Sequence, residues 1–293
     1  MAAGQGGRRR LSGDVIPCLK ISSDNLLRPL SSLARSYYRA PAAPAQAPRS
    51  FAPKMGKMGT PAEQLPLARR AEQYWLESRR PLTSLVFIAP LLIIYEVGVL
   101  WLRVTPNGAD DLMRRVLDLF GFSQHLLLPG LIVAILLGWQ YLSRQPWRFS
   151  PGTLPGMAAE AIALGLCLRV IAFAQNSVAA LDIGGQIRSA VGYLGAGIYE
   201  ELLFRLILLS LLIWMFHRGG ASPRVSTIVA IALSSILFSA AHHVGPYGEW
   251  PILWPRFVFR ALAGVFFSLV YFYRGFGIAA GSHAAYDILA GMF

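Results

Sequence analysis

Seven apolar runs separated by short polar connections organise the chain from residue 81 onward. They cover about 82–102, 125–142, 154–175, 191–216, 225–243, 256–273 and 276–292. A hydrocarbon layer of about 30 Å takes roughly 20 apolar residues as a helix, so most of these runs are long enough to cross it. The second and the last are short for a full crossing and fit tilted or partly re-entrant helices. The pattern predicts an all-α polytopic membrane helix bundle of about seven transmembrane helices, with six to eight as the bounds. Ahead of the first run, Leu67, Ala71, Tyr74 and Trp75 recur at helical spacing, with Arg69, Arg70, Glu72 and Glu77 on other faces. That alternation predicts an amphipathic interfacial helix over 59–80. Residues 1–58 have no periodicity, are rich in Pro, Ala, Ser and Gly, and read as a disordered basic tail, with Met55 and Met58 as alternative starts.

Composition agrees with a membrane protein. The 293 residues are 55% hydrophobic and 14% charged, with a mean hydropathy of +0.48; a soluble domain carries about 25% charged residues. The net charge of +12 is unevenly placed, with 14 Lys/Arg against 5 Asp/Glu in residues 1–80 and 13 against 10 in 81–293. The excess lies in the tail and not on a folded module with interleaved aromatics. This argues against a nucleic-acid partner and for a topology signal or contact with anionic membrane lipids. Arg144, Arg148, Arg218, Arg224 and Arg274 mark one side of the bundle, and the neutral or acidic connections 103–124, 176–190 and 244–255 mark the other. The positive-inside rule then predicts an inner, cytoplasmic N-terminus and an outer C-terminus in a cell (inner) membrane. Cys18 lies in the tail and Cys167 in a span, which makes a disulfide between them improbable. There is no internal repeat, which weakens a secondary-transporter reading.

Polar residues inside the spans carry the chemistry. The fourth span contains Tyr199-Glu200-Glu201-Leu202-Leu203-Phe204-Arg205. A charge near the bilayer centre costs roughly 2.5–3.5 kcal/mol on insertion scales, so three charges together imply pairing and use. Glu201 and Arg205 are four apart with the acid first, the favourable order for an ion pair. Glu200 is turned about 100° away and has no such partner on its own helix, which leaves it free to act as a general base or acid. Phe238 and His242 are four apart near the end of the fifth span, and His283 and Asp287 are four apart in the seventh. His243, next in line, reads as an ordinary interfacial residue. Glu96 in the first span and Glu160 and Arg169 in the third fit bundle partners, snorkelling side chains or catalytic groups alike.

Other chemistries stay open on residue types. Glu200, His242 and His283, with Asp287 nearby, are of the kinds that hold zinc, although the chain lacks a His-Glu-x-x-His pair. No cofactor is otherwise indicated, and no serine or cysteine sits in a nucleophile motif. Buried Glu, His and Arg also suit a proton-coupled transporter, or a non-catalytic membrane scaffold or immunity protein.

Taken in order, Glu200-Glu201-x-x-x-Arg205, Phe238-x-x-x-His242 and His283-x-x-x-Asp287 resemble the CAAX-processing and bacteriocin-processing family of intramembrane proteases, the type II CAAX endopeptidases. The last position is asparagine or aspartate in that pattern and aspartate here. The resemblance covers about residues 150–293, the protease-like core of a transmembrane domain over 81–293. It implies an intramembrane endopeptidase acting on a protein or peptide substrate. By it, Glu200, assisted by His242, would activate water; His283 and Asp287 would stabilise the oxyanion; and Glu201, Arg205 and Phe238 would form the framework. The oligomeric state is not legible.

Overall fold

The structure is a computed structural model, and it describes residues 61–104, 108–119, 121, 126–172, 183–244 and 248–292. The tail expected over 1–58 lies outside the described residues. Among the described residues there are helices and no strands: α1 (Pro61–Ser78), α2 (Pro81–Trp101), α3 (Gly108–Leu119), α4 (Leu127–Leu142), α5 (Thr153–Ala172), α6 (Ile183–Glu201), α7 (Ser210–Arg218), α8 (Pro223–Ala241), α9 (Trp254–Arg274) and α10 (Phe276–Met292). α6 and α7 are joined by a π-helical segment, Leu202–Leu209, so the fourth predicted span is one long rod.

Four helices, α2, α5, α8 and α9, are long and apolar enough to cross a bilayer, and α4 is apolar but shorter. Local signals start them. Pro81 opens α2, and Ser222 caps α8 by accepting the Val225 N–H ahead of Pro223. Large apolar side chains are found on both sides of the bundle wall. Ile88, Ile132, Met157, Ile198 and Phe267 fill the interior, while Ile93, Leu100, Val170, Ile228 and Leu262 face outward. Such an exterior would aggregate in water and is what a lipid-facing surface requires. The molecule is an all-α membrane helix bundle.

Helix α3 corrects the sequence reading, which took 103–124 as a connection. Its charges obscured an amphipathic pattern in which Ala109, Asp110 and Met113 are buried and Leu112, Val116 and Leu119 are exposed. Arg114 pairs with Asp110 and lies 3.6 Å from Glu96. Tyr95 donates to Asp110 at 2.6 Å, and Tyr199 donates to Glu96. These bonds tie α3 to α2 and α6 and give Glu96 a structural place. Glu160 has one too: Arg274 grips both its oxygens, and Tyr74 donates to it at 2.6 Å. With Arg274 also stacked 4.0 Å over Trp75, this clasp holds α1 to α5 and α9. Arg169 is half-buried on α5.

α10 packs chiefly against α5 and α6, and two glycines make its position possible. Gly275, at φ +86°, turns the chain from α9 directly into α10. On α6, a Cβ at Gly197 would lie 2.6 Å from the Ala284 nitrogen and 2.7 Å from the Ala280 oxygen. Only glycine permits that approach of two backbones, and it sets the carboxylates of α6 beside His283.

Candidate active site

Three elements supply the polar residues. The end of α6 and the π-helical segment carry Glu200, Glu201 and Arg205; the end of α8 carries Phe238 and His242; the middle of α10 carries His283 and Asp287. Glu200 Oε2 lies 3.9 Å from His242 Nε2 and 3.8 Å from His283 Nε2. Asp287 Oδ2 is 3.5 Å from the same His283 nitrogen. All seven residues singled out in the sequence thus converge, with Glu200 between the two imidazoles.

The two ring orientations are set differently. His242, at the C-terminal cap of α8, turns Nδ1 to the Phe238 carbonyl at 2.9 Å. A carbonyl only accepts, so Nδ1 carries a proton, and Nε2 is the nitrogen turned toward Glu200. His283 instead donates from Nδ1 to Glu201 Oε1 at 2.7 Å. Its ring is stacked on Phe267 at 4.4 Å and 15°, with Phe238 edge-on at 5.9 Å. Nε2 is therefore the nitrogen aimed at Glu200 and Asp287.

Beneath them is the predicted pair, Arg205 to Glu201 Oε1 at 2.8 Å, both side chains essentially sealed from solvent. The same Glu201 oxygen thus meets a guanidinium and an imidazole, so Glu201 is more than the partner of Arg205. Arg205 lies 4.3 Å over Phe238 and donates to the Gly264 carbonyl at 3.3 Å. The π-helical turn starts directly after Glu201 and contains Arg205; wider than an α-turn, such segments recur at functional sites.

Sequence reasoning missed three contributors. Phe267 and Gly264 sit on α9, which carries no charged motif, and only packing brings them to His283 and Arg205. His243 is not interfacial: it is 6% exposed, bonds the Glu249 carbonyl through Nδ1 at 2.7 Å, and stacks on Phe257. The apolar surroundings of α8 gave no sign that a loop folds over it.

Zinc ligands sit about 2.0–2.2 Å from the metal and converge on one point. Among the described residues no group of three or more His, Cys, Asp or Glu is placed to hold a metal ion. Glu200 Oε2 itself is buried and makes no hydrogen bond to the described residues. A carboxylate oxygen facing two imidazole nitrogens, next to a sealed ion pair, is equipped to move a proton.

A family profile described as type II CAAX prenyl endopeptidase Rce1-like matches residues 187–289. No curated protein and no solved structure matches the chain. The matched segment spans the three motif-bearing helices and every one of the seven converging residues. Over that segment, about a third of the chain, the protein is similar to the type II CAAX prenyl endopeptidases.

Proposed function

We propose that this protein is an intramembrane endopeptidase in which Glu200 activates water for attack on a peptide carbonyl at the membrane. The observation that carries the reading is the separation of Glu200 Oε2 from His242 Nε2, 3.9 Å. A water donating one hydrogen to each acceptor at about 2.8 Å would hold them roughly 4.4 Å apart along its own H–O–H angle, so 3.9 Å admits one bridging water with slightly bent hydrogen bonds. The water oxygen attacks the carbonyl carbon as its proton passes to Glu200, while His242 holds the second hydrogen. The tetrahedral oxyanion takes hydrogen bonds from His283 Nε2 in the imidazolium form and from the carboxyl of Asp287 in its neutral form. Glu200 then returns the proton to the departing amine nitrogen, and the C–N bond breaks.

Glu201 and Arg205 act at one remove. The Glu201 carboxylate holds His283 by Nδ1, as the carboxylate of a hydrolase triad holds its histidine. Arg205 compensates that buried charge and is packed against Phe238, which also contacts both imidazoles. The Phe238 carbonyl fixes the His242 tautomer, so one residue serves both rings.

The family name carries the substrate class: a protein or peptide with a prenylated cysteine near its C-terminus. The mechanism needs no metal, the membrane lipids are the solvent of the outer surface, and nucleic acid has no place in it. The basic connections on one side support a cytoplasmic N-terminus in a cell membrane. The test is cleavage by the detergent-solubilised full chain of an S-farnesylated peptide ending in C-a-a-X, read by product mass. Release of the last three residues by the unsubstituted protein and not by Glu200→Gln supports the reading; equal turnover by both removes it.

A further inference from the structure

His242 sits at the C-terminal cap of α8, where the final carbonyls of a helix have no partner in the helix itself. Its ring is oriented by the Phe238 carbonyl, one turn back on the same helix. Glu200, 3.9 Å away, belongs to α6, while α8 packs chiefly against α9. The ring can therefore be well oriented on α8 and still stand at the wrong distance from Glu200, unless the last turn of α8 is itself fixed.

Glu249 and Trp250 fix it. The Glu249 N–H donates to the His242 carbonyl at 3.0 Å, and the Trp250 indole N–H donates to the His243 carbonyl at 3.0 Å. In the other direction, His243 Nδ1–H donates to the Glu249 carbonyl at 2.7 Å. Two carbonyls at the end of α8 and one imidazole are thus engaged by two consecutive residues. The assembly is in turn anchored to α9. Arg260 holds the Glu249 carboxylate at 2.5 Å, the His243 ring stacks on Phe257 at 5.9 Å and 21°, and Ser239 donates to the Phe257 carbonyl at 2.7 Å.

Packing alone does not account for His243. The residue is buried between Phe257 and the edge of Trp250, and its Nε2 has no hydrogen-bond partner among the described residues. Burying that nitrogen unbonded is costly, so a hydrocarbon ring would fill the place better. What histidine adds is the Nδ1–H bond, which holds Glu249 where its own N–H meets the His242 carbonyl.

We propose that His243 is a positioning residue: through Glu249 and Trp250 it fixes the terminal turn of α8, so that His242 stays one water molecule from Glu200. The inference rests on the endopeptidase reading and adds to it the device that sets its central distance. In this role His243 touches neither the substrate nor the attacking water, so its loss is read in kcat and not in KM.

The test pairs cleavage of an S-farnesylated C-a-a-X peptide with backbone hydrogen exchange, both on the full chain in detergent. His243→Phe keeps a ring against Phe257 and removes the N–H together with the unbonded nitrogen, so the unfolding midpoint moves little. Its kcat falls roughly a hundred-fold, the scale of a displacement of about 1 Å, while KM stays within about two-fold. Amide exchange at Glu249 speeds up about ten-fold, as one lost hydrogen bond requires. His243→Asn, whose amide N–H can replace Nδ1–H, restores both quantities to within about five-fold. Trp250→Phe, at a residue that is 71% exposed, deletes one of the three bonds and lowers kcat by about ten-fold. Should His243→Phe not fold, Trp250→Phe carries the same comparison. Equal kcat for His243→Phe and His243→Asn, a loss confined to KM, or a Trp250→Phe protein that matches the unsubstituted chain in both readouts would each overturn the proposal. The two readings fail separately. An unsubstituted chain that cleaves nothing, with exchange at Glu249 responding as described, removes the hydrolase and leaves the fixed turn. Undiminished turnover by every variant removes the positioning role and leaves the hydrolase.

Discussion

His283 and Glu201 are 82 residues apart in the chain and 2.7 Å apart in the bundle. That bond joins two motifs that looked independent. The pair Glu201–Arg205 anchors α6, the pair His283–Asp287 belongs to α10, and a single carboxylate oxygen serves both. The active geometry and the stability of the bundle are therefore coupled through Glu201.

Glu200→Gln keeps the shape of the side chain and removes its basicity. Cleavage falls by roughly a hundred- to ten-thousand-fold, the usual contribution of a positioned base. Glu200 makes no close hydrogen bond that an amide would break, so thermal unfolding of the variant matches the unsubstituted protein. An unfolding midpoint that drops along with activity would show Glu200 to be framework.

Arg205→Ala does the opposite. It leaves the buried Glu201 carboxylate without its guanidinium, a loss of about 3–5 kcal/mol for a buried pair broken on one side. Lower yield and a lower unfolding midpoint accompany the lost activity. A fully stable, inactive Arg205→Ala protein would contradict the framework role.

Asp287 is tested by two substitutions that a purely electrostatic role would not separate. Asn offers an N–H donor of the same shape, so Asp287→Asn retains activity within about ten-fold. Asp287→Ala loses roughly a hundred- to a thousand-fold, as when an oxyanion donor is deleted. Asn and Ala with equal losses would assign the residue to charge rather than to donation.

Two glycines on α6 give a packing control. A methyl at Gly197 runs into the backbone of α10, whereas one at Gly192 meets only Val104 Cγ1 at 3.6 Å. Gly197→Ala costs about 1–3 kcal/mol and moves His283 away from Glu200, so turnover falls. Gly192→Ala is neutral or mildly stabilising through helix propensity. Equal behaviour of the two would deny that close approach of α6 and α10 sets the site.

Metal removal gives the remaining check on mechanism. Because no donor group among the described residues converges on a metal, prolonged chelation leaves cleavage unchanged, and elemental analysis of active protein finds less than one equivalent of zinc. Loss of activity on chelation, restored by zinc, would assign Glu200, His242 and His283 to a metal.

The all-α membrane class and the seven residues of the candidate site, six of them polar, were legible in the chain alone. Both depend on local rules: apolar runs have the length that lipid demands, and charges inside them stand out because they are costly there. The acid-first spacing of Glu201 and Arg205 announced an ion pair for the same reason, since residues four apart meet on any helix. What spacing cannot convey is contact between helices. The bond from His283 to Glu201, the stacking of Phe267, the clasp of Glu160 by Arg274 and Tyr74, and the burial of His243 all join distant segments. Helix α3 was hidden because two of its five charged side chains, Asp110 and Arg114, turn inward to Tyr95 and Glu96 on α2, so its polar composition imitated a loop. Local chemistry decided which groups were present; helix packing, set by glycines such as Gly197 and Gly275, decided which of them meet.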